Sequence, residues 1–178
     1  MRRNQLLDLL SEYLERFPEE EKVVSRVETF VRENSACFER SLTSGHITGS
    51  SWIVDLNRSH ALFSHHKKLN MWLQLGGHAD GDPDVFRVAL KEAEEESGLK
   101  RIMPLSHQIF DIDVHLVPDG GSGHYHYDIR FIFEADRQEK LVVSDESHSL
   151  AWTELDTIEE VVTEPSILRM YSKAKGII

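Results

Sequence analysis

The segment from Gly76 to Leu99, GGHADGDPDVFRVALKEAEEESGL, constrains the fold more than any other part of the chain. Helical periodicity predicts a helix over Asp84–Ser97, and Gly98 is its expected stop because glycine enters the left-handed conformation without steric strain. At ~100° per residue the apolar side chains form one broad stripe. The stripe consists of Val85, Phe86, Val88, Ala89, Leu90 and Ala93. The helix is therefore expected to pack against a core.

Three glutamates converge at the margin of this stripe. Glu92, Glu95 and Glu96 are spaced so that i, i+3 and i, i+4 side chains become neighbours. Their charges repel one another, and the C-terminal end of a helix already carries the negative end of its dipole. A hard divalent cation, Mg²⁺ or Mn²⁺, would relieve this repulsion and bring metal-bound water. The spacing alone is equally compatible with a solvated acidic helix end.

The same segment resembles the Nudix box, G-x5-E-x7-R-E-U-x-E-E-x-G-U, in which U is an aliphatic residue. The matching positions are Gly77, Glu92, Ala93, Glu95, Glu96, Gly98 and Leu99. Two positions depart from the pattern, because Pro83 replaces the first glutamate and Lys91 replaces the arginine. In the family those two residues usually form an ion pair. Asp82 or Asp84 is the expected substitute partner of Lys91.

The resemblance covers about residues 46–170 and implies both a fold and an activity. The expected fold class is α/β, a Nudix-type α/β/α sandwich with a mixed β-sheet over residues 41–178, preceded by an N-terminal helical extension over residues 1–40. The implied activity is that of an Mg-dependent Nudix pyrophosphohydrolase, a hydrolase acting on acid anhydrides. Metal-activated water would cleave a diphosphate linkage in a nucleoside diphosphate joined to another group, or in a related small molecule.

The resemblance also implies roles for particular residues. In the family the carbonyl just before the box often binds metal, and Gly76 occupies that position here. The implied metal ligands are Gly76, Glu92, Glu95 and Glu96. The candidate catalytic carboxylates are Glu95, Glu96 and Glu146, the last in a loop before Trp152. A solvated loop carboxylate is the alternative interpretation of Glu146.

Two other functional classes stay open. Isopentenyl diphosphate isomerase shares the Nudix fold and has a Gly-His pair, similar to Gly77-His78, but it needs a cysteine immediately before that glycine. Gly76 occupies this position, and Cys37 is far upstream. The second alternative is a non-catalytic ligand-binding or regulatory module. The departures at Pro83 and Lys91 favour a module, whereas the intact glutamates argue against it.

A second group of polar residues follows from strand alternation. Strands are predicted over Ile109–Val117 and His124–Ala135 around the turn PDGGSG. One face of this pair carries Asp111, Asp113, His115, His124, His126, Asp128 and Arg130. Three interpretations compete, namely a solvated sheet face, a substrate pocket and a second metal site built from histidines. The candidate substrate-binding residues are His78, His115, His124, His126, Asp128 and Arg130, since these side chains can hydrogen-bond a sugar or phosphate.

The remaining elements are predicted from periodicity and breakers. Residues 1–40 contain two helical patterns separated at Phe17-Pro18, interpreted as a helical pair that packs on the main domain or on a second copy in a homodimer. Ser50–Leu56 and Ala61–His65 are predicted to form a hairpin. A strand near Trp152 and a final helix beginning at Pro165 are expected to close the domain.

Composition limits partners and location. The formal net charge is −11, which opposes binding to duplex nucleic acid because phosphate contacts need a basic surface. A small phosphorylated substrate can still bind through metal ions. The sequence has no apolar run near the length of a membrane span. The single cysteine, Cys37, cannot form an internal disulfide, fits a cytoplasmic location and is expected to be a small buried side chain.

Overall fold

The computed structural model describes residues 3–118, 121 and 123–177. Over these residues, eight strands form one mixed sheet with five α-helices packed on it, which confirms the predicted α/β class. The strands are β1 Gly45–Asp55, β2 His60–His66, β3 Met71–Leu73, β4 Leu75–His78, β5 Ile102–Pro104, β6 Asp111–Val117, β7 His124–Ala135 and β8 Ser147–Glu154. The helices are α1 Asn4–Arg16, α2 Glu21–Glu33, α3 Val85–Ser97, α4 Ile158–Val161 and α5 Pro165–Ala174.

Strand β1 occupies the centre of the sheet. Along one edge it pairs in parallel with β7, from Gly45 opposite Tyr125 to Asp55 opposite Ala135. Its other edge pairs antiparallel with β4 and, near its end, with β2. Strands β5 and β6 extend the sheet beyond β7, while β3 and β8 flank β2, all antiparallel. The predicted turn PDGGSG joins β6 to β7, and its residues 119, 120 and 122 lie outside the described residues.

Alternation along β1 divides the core between the two faces of the sheet. Ile47 and Ile53 belong to a cluster with buried residues of α1, α2 and α3. Trp52 and Val54 point to the other face, where their cluster includes residues of α4 and α5. Helices thus cover both faces of the sheet, as the predicted sandwich requires. The N-terminal helices share their core with the sheet, and the predicted division near residue 40 stays a prediction.

The helix predicted from the box has the expected ends. Asp84 caps α3 by accepting a hydrogen bond from the Arg87 amide at 3.1 Å, and Gly98 adopts the left-handed conformation with φ of +72°. The predicted hairpin, closing strand and final helix are also present. Strand β1 is longer than predicted, because it begins at Gly45 rather than Ser50. No helix in the described part of the chain has the length and apolarity needed to cross a membrane.

Candidate functional site

Helix α3 approaches the sheet so closely that its last turns bring carboxylates up to β4. At Gly49 of β1, a Cβ atom would lie 2.9 Å from the carbonyl oxygen of Val85 and 3.0 Å from the amide nitrogen of Ala89. A glycine is needed at this crossing because a side chain would push the helix away from the strand. Since β4 pairs with the same part of β1, the glutamates of α3 lie beside β4.

Two of the three box glutamates lie against the glycine pair of β4. Glu96 is only 9% exposed, and the backbone amide of Gly76 favours its charged form. Glu92 covers Gly77 so closely that a Cβ atom there would collide with its carboxylate. The Glu95 side chain is 59% exposed and lies at the outer margin. The structure therefore brings Glu92 and Glu96 together, while the roles of all three as metal ligands stay a prediction.

The surroundings of Glu92 and Glu96 disfavour the ionised forms of both carboxylates. Burial, reinforced by the charge of Glu92, raises the pKa of Glu96 to about 8. Burial also raises the pKa of Glu92, and the charges of Glu95 and Glu146 act in the same direction. Both shifts show that negative charge is disfavoured at this position. A hard divalent cation fits the donor set, because it takes carboxylate and carbonyl oxygens as ligands.

Lys91 is the cation nearest to these carboxylates along α3. Its Nζ atom lies 3.5 Å from Glu92 and 3.2 Å from Glu95. The expectation that Asp82 or Asp84 pairs with Lys91 is wrong. Arg87 donates to Asp82 at 2.6 and 2.9 Å, and Asp84 is engaged as the cap of α3. The lysine that replaces the family's arginine therefore interacts with the box glutamates themselves.

Glu146 faces the same cluster from another part of the chain. It lies immediately before β8, where its carbonyl oxygen accepts a hydrogen bond from the Lys67 amide at 3.0 Å. Its side chain is exposed, and its charge contributes to the raised pKa values of Glu92 and Glu96. A solvent-exposed carboxylate near Glu92 and Glu96 is suited to accept a proton from water. Its catalytic role stays a prediction.

The opposite face of the sheet carries the polar residues predicted from alternation. Strands β6 and β7 pair so that Asp111 lies opposite Arg130 and His115 opposite His126. The alternation is confirmed, but the solvated-face interpretation is wrong for Asp111, Asp128 and Arg130. Arg130 is 2% exposed, and both carboxylates are buried. Alternation cannot distinguish a solvated face from one buried in the fold, and Arg169 of α5 reaches the Asp111 end of this face.

A network of ion pairs and hydrogen bonds satisfies these buried groups. Arg130 donates to Asp128 at 2.7 Å and to Asp111 at 3.1 Å. The hydroxyl groups of Thr48 and Ser50 donate to Asp128 at 2.8 and 2.7 Å. From α5, Arg169 donates to Asp111 at 2.8 and 2.9 Å. Asp128 and Arg130 are thus engaged within the protein, and their predicted contacts with substrate stay a prediction.

Histidines gather at the end of this polar face. The ring centre of His46 lies 4.9 Å from those of His78 and His124 and 5.0 Å from that of His126. His78 and His126 are also 5.0 Å apart. His115 lies at the margin, 5.5 Å from His126, and pairs with Asp113 at 2.9 Å. The structure thus brings together four histidines from β1, β4 and β7, which we call the histidine cluster.

His46 is the member of this cluster that the sequence did not reveal as a site residue. The sequence pattern predicts that the first strand begins at Ser50, which places His46 outside it. His46, Thr48 and Ser50 alternate with Ile47 and Gly49, and this alternation is the signal that extends the strand to His46. The partners of His46 could not be identified in the same way, because parallel pairing of β1 with β7 leaves no local sequence signal.

The two clusters lie on opposite faces of the same strands. Gly76 and His78 pair with Ser50 and Thr48, whereas Gly77 pairs with Gly49. Alternation then places His78 on the face of the polar network, and Gly77 on the face of α3 under Glu92. Glu146 influences both sides, since its charge also raises the pKa of His78 against the stronger lowering effect of burial. The glutamates and the histidine cluster are thus adjacent and distinct.

Comparison with solved structures identifies the fold. An Ap4A hydrolase from C. elegans superposes with a TM-score of 0.58 at 14% identity, over 73% of this chain and 95% of that one. A NUDIX family hydrolase from Clostridium perfringens superposes with a TM-score of 0.57 at 20% identity, over 75% and 98%. The chain has the Nudix fold. The E. coli dihydroneopterin triphosphate pyrophosphohydrolase, at 9% identity, gives a TM-score of 0.58 over 71% and 92%.

No protein-family model matches the sequence, and no curated protein matches it either. At the identities found among Nudix structures the similarity shows the fold alone, since one fold hosts many reactions. The predicted Nudix-type sandwich with a mixed sheet is therefore confirmed. What the site does must be argued from its residues.

Proposed function

We propose that the protein hydrolyses a diphosphate linkage in a small phosphorylated compound, such as a nucleoside diphosphate joined to another group, with Mg²⁺ or Mn²⁺ as cofactor. The observation that carries the proposal is the position of Glu92 and Glu96, crowded and largely desolvated against Gly76 and Gly77. Like charges in such a place are unfavourable unless a cation compensates them. An Ap4A hydrolase and a dihydroneopterin triphosphate pyrophosphohydrolase share the fold, which supports this reaction class.

The residues that would hold the cation are Glu92, Glu95, Glu96 and the carbonyl of Gly76. When bound, the metal would neutralise charge on phosphate oxygens and lower the pKa of coordinated water. The chain contributes an acceptor for the proton of the attacking water, which we assign to Glu95 or Glu96 first and to Glu146 second. Helix α3 fixes these groups on the sheet, so their geometry is set before substrate binds.

The two alternative classes gain no support from the structure. Cys37 lies in the hydrophobic core on the α3 face, and burial raises the pKa of its thiol to about 11, so it is not placed for proton transfer beside His78. This position disfavours isomerase chemistry of the type that needs a cysteine before the Gly-His pair. A non-catalytic module has no need to keep the buried Glu96 beside the half-buried Glu92. A cytoplasmic location and a homodimer stay predictions.

The test is product release from a panel of nucleotide sugars, dinucleotides, nucleoside triphosphates and coenzyme A esters, with Mg²⁺, with Mn²⁺ and with chelator. We expect metal-dependent turnover of one class. Glu96→Gln should lower kcat by at least about 100-fold, because it removes a charged ligand from a preorganised site. Glu94→Gln is the matched control, since Glu94 is on the same helix but exposed, and it should retain wild-type turnover. Unchanged turnover in Glu96→Gln contradicts the proposed function.

A further inference from the structure

The histidine cluster contains a set of nitrogen atoms arranged as a metal site would require. One ring nitrogen from each of His46, His78 and His126 lies within 4.8 Å of the other two. Two nitrogen ligands of a tetrahedral zinc ion are about 3.4 Å apart, given Zn–N bonds of about 2.0–2.1 Å. Side-chain rotations of roughly an ångström therefore close the three imidazoles around one ion. Their positions come from three different strands, so the sheet holds them in place.

His46 is the buried histidine of the cluster whose ring nitrogens lack hydrogen-bond partners among the described residues. It is 3% exposed, and neither Nδ1 nor Nε2 has a hydrogen-bond partner of normal geometry. A buried polar side chain without a partner is unfavourable, and native structures rarely retain one without a reason. The Leu42 carbonyl lies close enough to favour a proton on the ring. Such a carbonyl commonly orients a metal-binding histidine by holding the nitrogen that faces away from the ion.

The donor atoms of the cluster favour a metal over an anion. His46, His78 and His126 offer ring nitrogens that lie within 4.8 Å of one another. A phosphate group would instead need cationic partners. A neutral imidazole is the form that coordinates metal. Arg40 is a cation close to His78, and Asp80 neutralises it in an ion pair.

We propose that His46, His78 and His126 bind a divalent transition-metal ion, with Zn²⁺ as the expected occupant and one coordination position left open. The inference is independent of the hydrolytic activity proposed for the glutamates. Imidazole ligands suit Zn²⁺ and related ions, whereas Mg²⁺ takes oxygen ligands. The two clusters would thus select different metals on opposite faces of β1 and β4. His78 and His126 are half-buried, so the cluster is accessible to an ion from solvent.

His124 supports the arrangement from within β7. Its Nε2 atom lies 3.2 Å from Nε2 of His126, so the two rings share a hydrogen bond. An outer partner of this kind fixes the orientation of a ligating ring, and its loss typically weakens metal binding 10–100-fold. His124→Asn is therefore expected to weaken Zn²⁺ binding less than replacement of a ligand does.

The experiment is calorimetric titration of the full-length protein with Zn²⁺ after removal of metals by chelator, repeated with Co²⁺ to record its absorption spectrum. We expect the wild-type protein to bind one equivalent of Zn²⁺ and to give a Co²⁺ absorption spectrum typical of nitrogen ligands. Both results should be unchanged in excess Mg²⁺. His46→Asn and His126→Asn should weaken Zn²⁺ binding by at least about 100-fold. His107→Asn, an exposed histidine stacked on Phe86, is the matched control and should bind Zn²⁺ as wild type does.

The result that overturns the inference is Zn²⁺ binding that is absent from the wild-type protein or unchanged in these variants. Loss of Zn²⁺ in Glu96→Gln with retention in His126→Asn would assign the ion to the glutamates and would also overturn it. Circular dichroism in chelator shows whether each variant is folded. If His46→Asn does not fold, Zn²⁺ binding by His78→Asn and His126→Asn tests the inference instead. These two residues are half-buried, so their replacement removes a ligand without opening the core.

Discussion

At the scale of one residue, Glu96 is a carboxylate whose surroundings disfavour its charge. It is buried on α3, and both burial and the charge of Glu92 disfavour its ionised form. In metal-free buffer at pH 7, Glu96→Gln is expected to raise the free energy of unfolding by on the order of 2 kcal/mol, because the neutral amide keeps the shape without the charge. Urea unfolding in chelator measures this difference.

The exposed neighbour provides the comparison for this stability prediction. Glu94→Gln should change the free energy of unfolding by less than about 0.5 kcal/mol, since solvent already screens its charge. Adding Mg²⁺ should stabilise the wild type more than Glu96→Gln, because an ion that binds the native state shifts unfolding by mass action. A Glu96→Gln variant that is less stable than wild type in chelator would show that the carboxylate is compensated without metal.

At the scale of elements, Asp113 of β6 links the strand pair β6–β7 to α5 through an ion pair with Arg169. Burial opposes ionisation of Asp113, but the hydrogen bond with His115 and the charges of Arg130 and Arg169 hold its pKa well below the usual range. A depressed native pKa contributes stability above the unfolded pKa of about 3.9, and this contribution is lost as the pH falls further. The stability difference between wild type and Asp113→Asn should therefore be present above about pH 4 and shrink below it.

Urea unfolding at a series of pH values measures the Asp113 contribution. Wild type is expected to exceed Asp113→Asn by about 2 kcal/mol at pH 7, because the variant leaves buried cations short of a partner. Asp8→Asn, at an exposed position on α1, is the control and should show no comparable pH-dependent difference. A difference for Asp113→Asn that stays constant down to pH 3 would mean that packing, rather than charge, determines its effect.

The elements also show what the sequence could predict. Periodicity identified α3 because its apolar stripe, cap and terminal glycine are all local, and alternation identified the two faces of β6 and β7 for the same reason. The buried network around Arg130 could not be predicted, because Asp111, which pairs with Arg130, also pairs with Arg169 and Lys173 of α5, which are distant in sequence from its strand. His46 was missed for a related reason, since its neighbours His78 and His126 come from strands paired through the tertiary fold.

At the scale of the whole molecule, the N-terminal helices are part of the core although the aligned Nudix structures correspond to only about three quarters of the chain. The Phe30 ring stacks on Tyr127 of β7 at a centroid distance of 3.8 Å. Arg16 donates to the carbonyl of Ile109 at 2.7 Å. Lys173 of α5 forms an ion pair with Glu20 at 2.6 Å. Contacts of this kind join the beginning of the chain to its last helix and cover the face of the sheet that bears Tyr127.

Removal of the N-terminal helices is therefore expected to destabilise the whole fold. Phe30→Ala should lower the free energy of unfolding by about 3–4 kcal/mol, because Phe30 is buried against Tyr127 and truncation leaves a cavity. The exposed neighbour Thr29→Ala should change it by less than about 0.5 kcal/mol. Deletion of residues 1–40 should expose the same surface, and the product is expected to unfold at much lower urea than the full chain. A deletion variant with an unchanged urea midpoint would instead show that residues 41–178 fold as a unit without the helices.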